Sequence, residues 1–272
     1  MGSEMTETAS EFEVVAIRDD QLTPWWRVAA VGSMVAFSLP TFITGLEVYQ
    51  GLTPWQTVIA LIVGSLLIFA IGTAMGGIGA QTRMSSYLLT RIAFGDHGAG
   101  VVNFAFAISL LGWFGININL FADAVSGLST TLFGGSPSNL VLSLIAAACM
   151  TGITFAGFRA INLLATLMVP VLGLVTVILI YNALSLQSLP DLLAAEKETT
   201  LSIGEGISAI VGAIFVGAII LPDITRFVCS WRGALGVTLV SYMVVQLLVM
   251  AAASLASGAT GSGDILDIML QF

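Results

Sequence analysis

Seven apolar runs dominate this chain, at roughly residues 26–50, 55–80, 99–127, 138–157, 160–184, 204–228 and 233–257. A helix crosses a bilayer core with about 20 apolar residues. Hydrocarbon offers no partner for a backbone amide, so only helices or closed barrels span it. Runs of this length predict helices. Charged residues make up 9% of the 272 residues, against about 25% in ordinary soluble domains, and the mean hydropathy is +1.01. The fold class that follows is an all-α polytopic membrane protein, with the lipid bilayer as its first partner.

Residues 1–24 are polar and hold six of the sixteen acids, with no apolar segment before Pro24. They read as a disordered cytosolic tail and not as a signal peptide. Arg18, Arg27, Arg83, Arg91, Arg159, Arg226 and Arg232 fall on one side of the seven spans, and Lys197 alone on the other. The positive-inside rule therefore puts the N-terminus in the cytoplasm of a multi-pass inner (plasma) membrane protein. The segment "LQSLPDLLAAEKETTLS", 186–202, becomes an external loop whose mixture of Pro, acids and Leu predicts a short surface helix. Seven spans leave "GSGDILDIMLQF" outside with no polar tail, as expected of a natural fragment or of the front part of a longer protein. Cys149 and Cys229 sit in or beside apolar runs and His97 is the single histidine, a pattern that points to neither a disulfide nor a metal cluster.

Two spans carry a proline among small and hydroxyl residues. The first has "SLPTFITGLE" (38–47) and the sixth has "IILPDITRF" (219–227), which share Leu-Pro followed by Ile-Thr. A proline inside a helix removes one hydrogen bond and costs about 3 kcal/mol. Two readings are open: kinks satisfied by neighbouring helices, or the paired discontinuous helices of an inverted-repeat transporter, whose unwound backbone meets ions and substrate near the midplane. Spans one and six would be in register after a repeat of five.

The most polar stretch at membrane depth is "GWFGININLFAD", 112–123. Trp113 and Asn117 are four residues apart and share a helix face. An indole plate beside an amide that both donates and accepts suits a flat heteroaromatic ring; interhelical packing is the competing reading. Asn119 and Asp123 form a second stripe, and Asp123, near the outer end, reads as a capping or solvated group. Asp223 and Arg226, three apart at the cytoplasmic end of span six, read as an inner-gate pair, a structural pair or a snorkelling arginine.

Three stretches resemble the nucleobase:cation symporter-1 family: "GGIGAQTRMSSYLLTRIAFGDHGA" (76–99), "GWFG" with Asn117 and "FAD" in span three, and "PDITRF" (222–227). Their order and spacing match over about residues 30–270. The resemblance implies a leucine-transporter-like five-plus-five inverted repeat, with the first repeat at 25–185, an external loop at 186–202 and the start of the second repeat at 203–272. It implies that the substrate ring lies between Trp113 and Asn117 of span three and a break in span six at Gly212, Ala213, Ile214 and Phe215, with Ser38 nearby. Members that take cytosine carry a serine and a phenylalanine where this chain has Ala213 and Ile214. Arg83 stands where relatives usually carry glycine. A sodium ion would be held by span-one carbonyls near Met34, Phe37 and Ser38, completed by hydroxyls of an eighth span, with a proton as the alternative coupling ion.

The function implied is symport of a nucleobase or related N-heterocycle such as cytosine, a purine, hydantoin, allantoin or hydroxymethylpyrimidine. An amino-acid or other small-solute symporter of the same fold is the second reading. An enzyme is not expected, since clustered His, Cys or acidic ligands are missing from the spans. No organic cofactor and no nucleic-acid partner is expected either, and the full-length protein is expected to work as a monomer.

Overall fold

A computed structural model describes residues 16–264, together with 267, 268 and 271. Among the described residues the secondary structure is helical: α1 Trp25–Ala36, α2 Leu39–Gly51, α3 Pro54–Thr82, α4 Ser86–Phe133, α5 Asn139–Phe155, α6 Gly157–Leu186, α7 Leu189–Ala194, α8 Ile203–Ile219, α9 Pro222–Thr225 and α10 Trp231–Thr260. α10 changes from α to π turns over Leu239–Gln246 and back. α3, α4, α6 and α10 are each long and apolar enough to cross a bilayer, and α1 with α2 forms one further span bent by 53°. The remaining two of the seven runs give shorter helices. α5 and α8 have 17 residues each, about 26 Å at 1.5 Å per residue, against a hydrocarbon core of about 30 Å.

Local sequence explains the boundaries. Thr53 caps α3 by accepting from the Gln56 amide, while the Gln56 side chain accepts from the Thr53 amide, and Pro54 fills the first turn. Ser202 and Glu205 make the same reciprocal cap on α8, which the Ser-x-x-Glu spacing encodes. The short helix predicted within residues 186–202 is α7. Residues 81–98, between the second and third apolar runs, are largely helical. α4 starts at Ser86 and turns sharply at Gly95, whose φ of 68° and ψ of 179° belong to a region essentially restricted to glycine. Asn103 bridges the corner, donating to the Thr90 hydroxyl at 3.0 Å.

The core runs along α3. Val48, Leu52, Ala60, Leu61, Ile210 and Met250 pack as one buried group, and Ile68, Ile214, Ala218, Leu221 and Tyr242 as the next. Spans one, two, six and seven thus form one tight body. Glycines make that approach feasible: a Cβ on Gly45 would lie 2.7 Å from the Met250 carbonyl oxygen, and one on Gly79 would lie 2.6 Å from Pro222 Cα. Hydroxyl pairs lock the seams, Thr73 to Thr238 at 2.9 Å and Ser254 to the Gly45 carbonyl at 3.1 Å. By contrast α4, α5 and α6 expose large apolar side chains such as Phe104, Leu111, Leu144 and Leu174. Such a surface is stable only against hydrocarbon or other helices.

The expected disordered tail needs correction at its end. Residues 1–15 lie outside the described residues, but 16–24 are docked. The Ile17 amide donates to the Arg83 carbonyl, Ile17 is buried among Val28, Ala80, Phe227 and Val237, and the Thr23 amide donates to the Phe227 carbonyl at 2.8 Å. The Asp19 carboxylate pairs with Arg83 at 2.5 Å. This strap joins the end of α3, α9 and the start of α10.

Candidate functional site

The break in span one is at Phe37 and Ser38. α1 ends at Ala36, Ser38 turns to an extended conformation, and α2 restarts at Leu39. Pro40 therefore lies in the first turn of α2, where backbone amides have no helical acceptor, and costs little there. The 3 kcal/mol cost expected for a mid-helix proline does not arise. The neighbouring hydroxyls bind the break together: Ser38 and Thr41 are 3.0 Å apart, Thr41 reaches the Val35 carbonyl at 3.5 Å, and Thr44 donates to the Pro40 carbonyl at 2.9 Å. Met34 and Phe37 lie at the end of α1, in its last turn and at its cap. That end carries the negative pole of its helix, and the donors it presents are neutral carbonyls, a set that fits a monovalent cation. The Ser38 carbonyl accepts from the Phe42 amide at 3.3 Å and is committed to α2.

Span six breaks elsewhere than expected. α8 is continuous from Ile203 to Ile219, so Gly212, Ala213, Ile214 and Phe215 are helical, and the interruption falls at Ile220 and Leu221 just before Pro222. The reason is chemical. Residues 203–219 hold no proline, and the reciprocal Ser202–Glu205 cap favours helix from the outer end. Ile214 is buried against Ile68, Leu221 and Tyr242, towards α3 and α10. Gly212 and Phe215 lie on the open side of α8, and a Cβ added to Gly212 would meet no neighbour within 4 Å.

Trp113 and Asn117 are both half-buried on α4, and the Asn117 amide nitrogen donates to the Trp113 carbonyl at 2.8 Å. One of its two N–H donors is engaged within its own helix. Towards the C-terminal end of α4, the same face continues through Leu120, Ala124 and Gly127 at spacings of three and four residues. These residues line a cleft of about 480 Å³ with Leu39, Ile43, Asp123, Ser126, Asn139 and Asp264. The start of α2 thus faces the span-three helix across an open cleft adjoining Ser38. Sequence reasoning misses Leu39, Ile43, Leu120 and Ala124; extending the Trp113–Asn117 face along α4 is the available signal for the last two. The Asp123 carboxylate accepts from the Asn139 side chain at 2.7 Å and ties α4 to the start of α5.

Beyond the break in span six, the Asp223 carboxylate accepts from the Ser86 amide at 2.8 Å, capping α4. Arg226 is buried, donates from Nε to the Asp223 carbonyl at 3.1 Å, and stacks over Phe227 at 5.2 Å. Asp223 thus links the broken end of span six to α4, and the neighbouring Phe227 carbonyl links it to the strap.

Over residues 24–269 the sequence matches the family described as permease for cytosine/purines, uracil, thiamine, allantoin. The chain belongs to this family. It is 27% identical over 230 residues to cytosine permease of Escherichia coli (strain K12), and likewise to that of Escherichia coli O157:H7. The alignment covers 84% of this chain and 53% of either relative, so the chain spans about half the length of the curated relatives it matches. Its fold is similar to that of Mhp1, a nucleobase-cation-symport-1 family transporter, in a closed conformation with bromovinylhydantoin bound. The TM-score is 0.76 at 19% identity, over 92% of this chain and 57% of Mhp1. The inward-facing conformation of Mhp1 gives 0.73 at 18% identity, over 94% and 62%. The architecture is the leucine-transporter-like one expected, in a multi-pass membrane protein of a permease family.

Proposed function

We propose that this chain is the substrate-facing part of a secondary active symporter that imports a nucleobase or related N-heterocycle together with a cation, sodium before a proton. The observation that carries the proposal is the discontinuity of span one at Phe37–Ser38, followed by a helix start, Leu39 and Ile43, that shares an open cleft with Leu120, Ala124 and Gly127 of α4, the helix that bears Trp113 and Asn117. A broken helix supplies dipole ends and neutral carbonyls for a cation, and the indole supplies a flat apolar plate for a ring. Family membership supports the substrate class. Asn117 would read the ring edge after releasing its bond to the Trp113 carbonyl, and Phe215 and Gly212, on the open side of α8, would close the ring from the other face. Asp223 and Arg226 would act at the inner gate. The protein would lie in the plasma membrane with its N-terminus inside, in five-plus-five repeats divided at 25–185 and 203–272.

The test uses a parent protein carrying this chain and the remaining spans of its relatives. Trp113→Ala should weaken binding of the transported heterocycle by about 1–3 kcal/mol, as for stacking of bases on aromatic side chains, and Trp113→Phe by less. Unchanged affinity in a correctly inserted Ala variant would return Trp113 to a packing role.

A further inference from the structure

The tight body of spans one, two, six and seven contains a group of polar side chains that its own hydrogen bonds do not satisfy. Gln246 is fully buried, and neither its Oε1 nor its Nε2 has a hydrogen-bond partner among the described residues. The hydroxyls of Ser65 on α3, Ser241 on α10 and Ser33 on α1 are equally buried and equally unpartnered. Buried polar atoms are almost always paired with protein or ordered water, and an orphaned amide in apolar surroundings is costly.

Register brings Gln246 and Ser65 to the same level. Leu61 packs in one buried group with Met250, and Ile68 in the next with Tyr242. Ser65 lies one turn from Leu61 and from Ile68 on α3, while Gln246 lies midway between Tyr242 and Met250 on α10. The two therefore lie at the same level of the α3–α10 seam. On the other flank of α10, a Cβ on Gly32 would come 2.6 Å from the Ser241 Oγ, which sets Ser241 against the turn of α1 that carries Ser33. Gln246 also closes the π segment Leu239–Gln246, and π turns inside α-helices concentrate at functional positions.

The chemistry of the donors selects the occupant. A bare cation would satisfy Oε1 and the hydroxyl oxygens but leave the Nε2 hydrogens facing positive charge. No carboxylate is present among the buried polar residues described, and the one charged member of that set, Arg226, is itself a cation. An anion would meet only neutral donors and no compensating charge. Water donates to Oε1, accepts from Nε2, and pairs with a hydroxyl in either sense. We propose that Gln246 and Ser65 form an internal water site in the seam between spans two and seven, continued by Ser241 and Ser33 towards span one. The site is built from residues of this chain alone and does not rest on the transport reading.

The experiment is X-ray radiolytic labelling of the 272-residue chain in nanodiscs, in ¹⁸O-water, read by mass spectrometry at Tyr242, a buried residue one turn from Gln246. Hydroxyl radicals form where water is bound, so Tyr242 should take up label in the unaltered chain while buried Leu46, which lies in a different core group, does not. In Gln246→Leu the Tyr242 label should fall to the Leu46 level, and Ser65→Ala provides the same comparison if the first variant fails to fold. Replacing sodium by choline should leave the label and the unfolding temperature unchanged. Tyr242 labelling no greater than that of Leu46 in the unaltered chain, or labelling that persists in both folded variants, overturns the proposal. A sodium-dependent unfolding temperature that is lost in Gln246→Leu also overturns it and assigns the site to a cation.

Discussion

Arg83 is the only non-glycine among the described residues with a positive φ, 58°, and it ends α3 in the left-handed conformation that favours glycine. That accounts for the glycine in the relatives that the sequence resembles, a difference with no meaning until the backbone is seen. An L-residue in this conformation costs about 1–2 kcal/mol, and the strap offsets it through the Asp19 pair and the bond from the Ile17 amide. Asp19 is largely exposed, so its pair with Arg83 is worth at most about 1 kcal/mol. Arg83→Ala keeps the strain and loses the pair, whereas Arg83→Gly loses both. Arg83→Gly should therefore be more stable than Arg83→Ala by about 1 kcal/mol, read as the difference in unfolding midpoint in detergent; an Ala variant as stable as the Gly variant would show that the strain is relieved elsewhere. Trp113 and Asn117 were legible because their spacing encodes a shared face. The bond that Asn117 makes to its own helix was not, since an amide's orientation depends on what stands opposite it.

At the scale of the helix, length and apolar character set out the spans, and proline marked both broken ones. The position of each break was less legible. Proline stands just after an interruption, at the start of the next helix, so both breaks lie on the N-terminal side of Pro40 and Pro222. The break of span six at Gly212–Phe215 was implied by the family resemblance alone, whereas the proline rule points to Ile220 and Leu221, where it falls. Glycine marks close approach instead. Gly79 lies against the backbone of Pro222, which cannot yield as a flexible side chain would, so Gly79→Ala should destabilise by about 1–3 kcal/mol through overpacking. Gly77, two residues away, has open space around it, and Gly77→Ala should instead stabilise by about 1 kcal/mol through helix propensity. Unfolding of the two variants side by side checks this; equal effects would mean that the α3–α9 contact relaxes freely.

Across the whole molecule, charge asymmetry gives an orientation that can be tested directly. With the exposed Cys149 and Cys229 replaced by serine, Glu198→Cys should react with an impermeant reagent from outside intact cells and Arg91→Cys should not; the reverse pattern would invert the topology. The transport cycle makes a stronger demand. Alternating access moves one repeat or bundle against another around the midplane site, and here the tight body of spans one, two, six and seven faces α4, α5 and α6, whose outer surfaces remain apolar and uncovered. On the proposed reading the carbonyl end of α1 would provide only part of a cation's oxygen shell, and the chain spans about half the length of its curated relatives. Residues 1–272 alone, reconstituted in vesicles under an inward sodium gradient, should therefore show no concentrative uptake of a labelled nucleobase or hydantoin. The same chain extended through five further spans should regain it. Uptake by the 272-residue chain itself would mean that spans one to seven already contain both the moving body and the frame it moves against, and that the cation is held without hydroxyls from an eighth span.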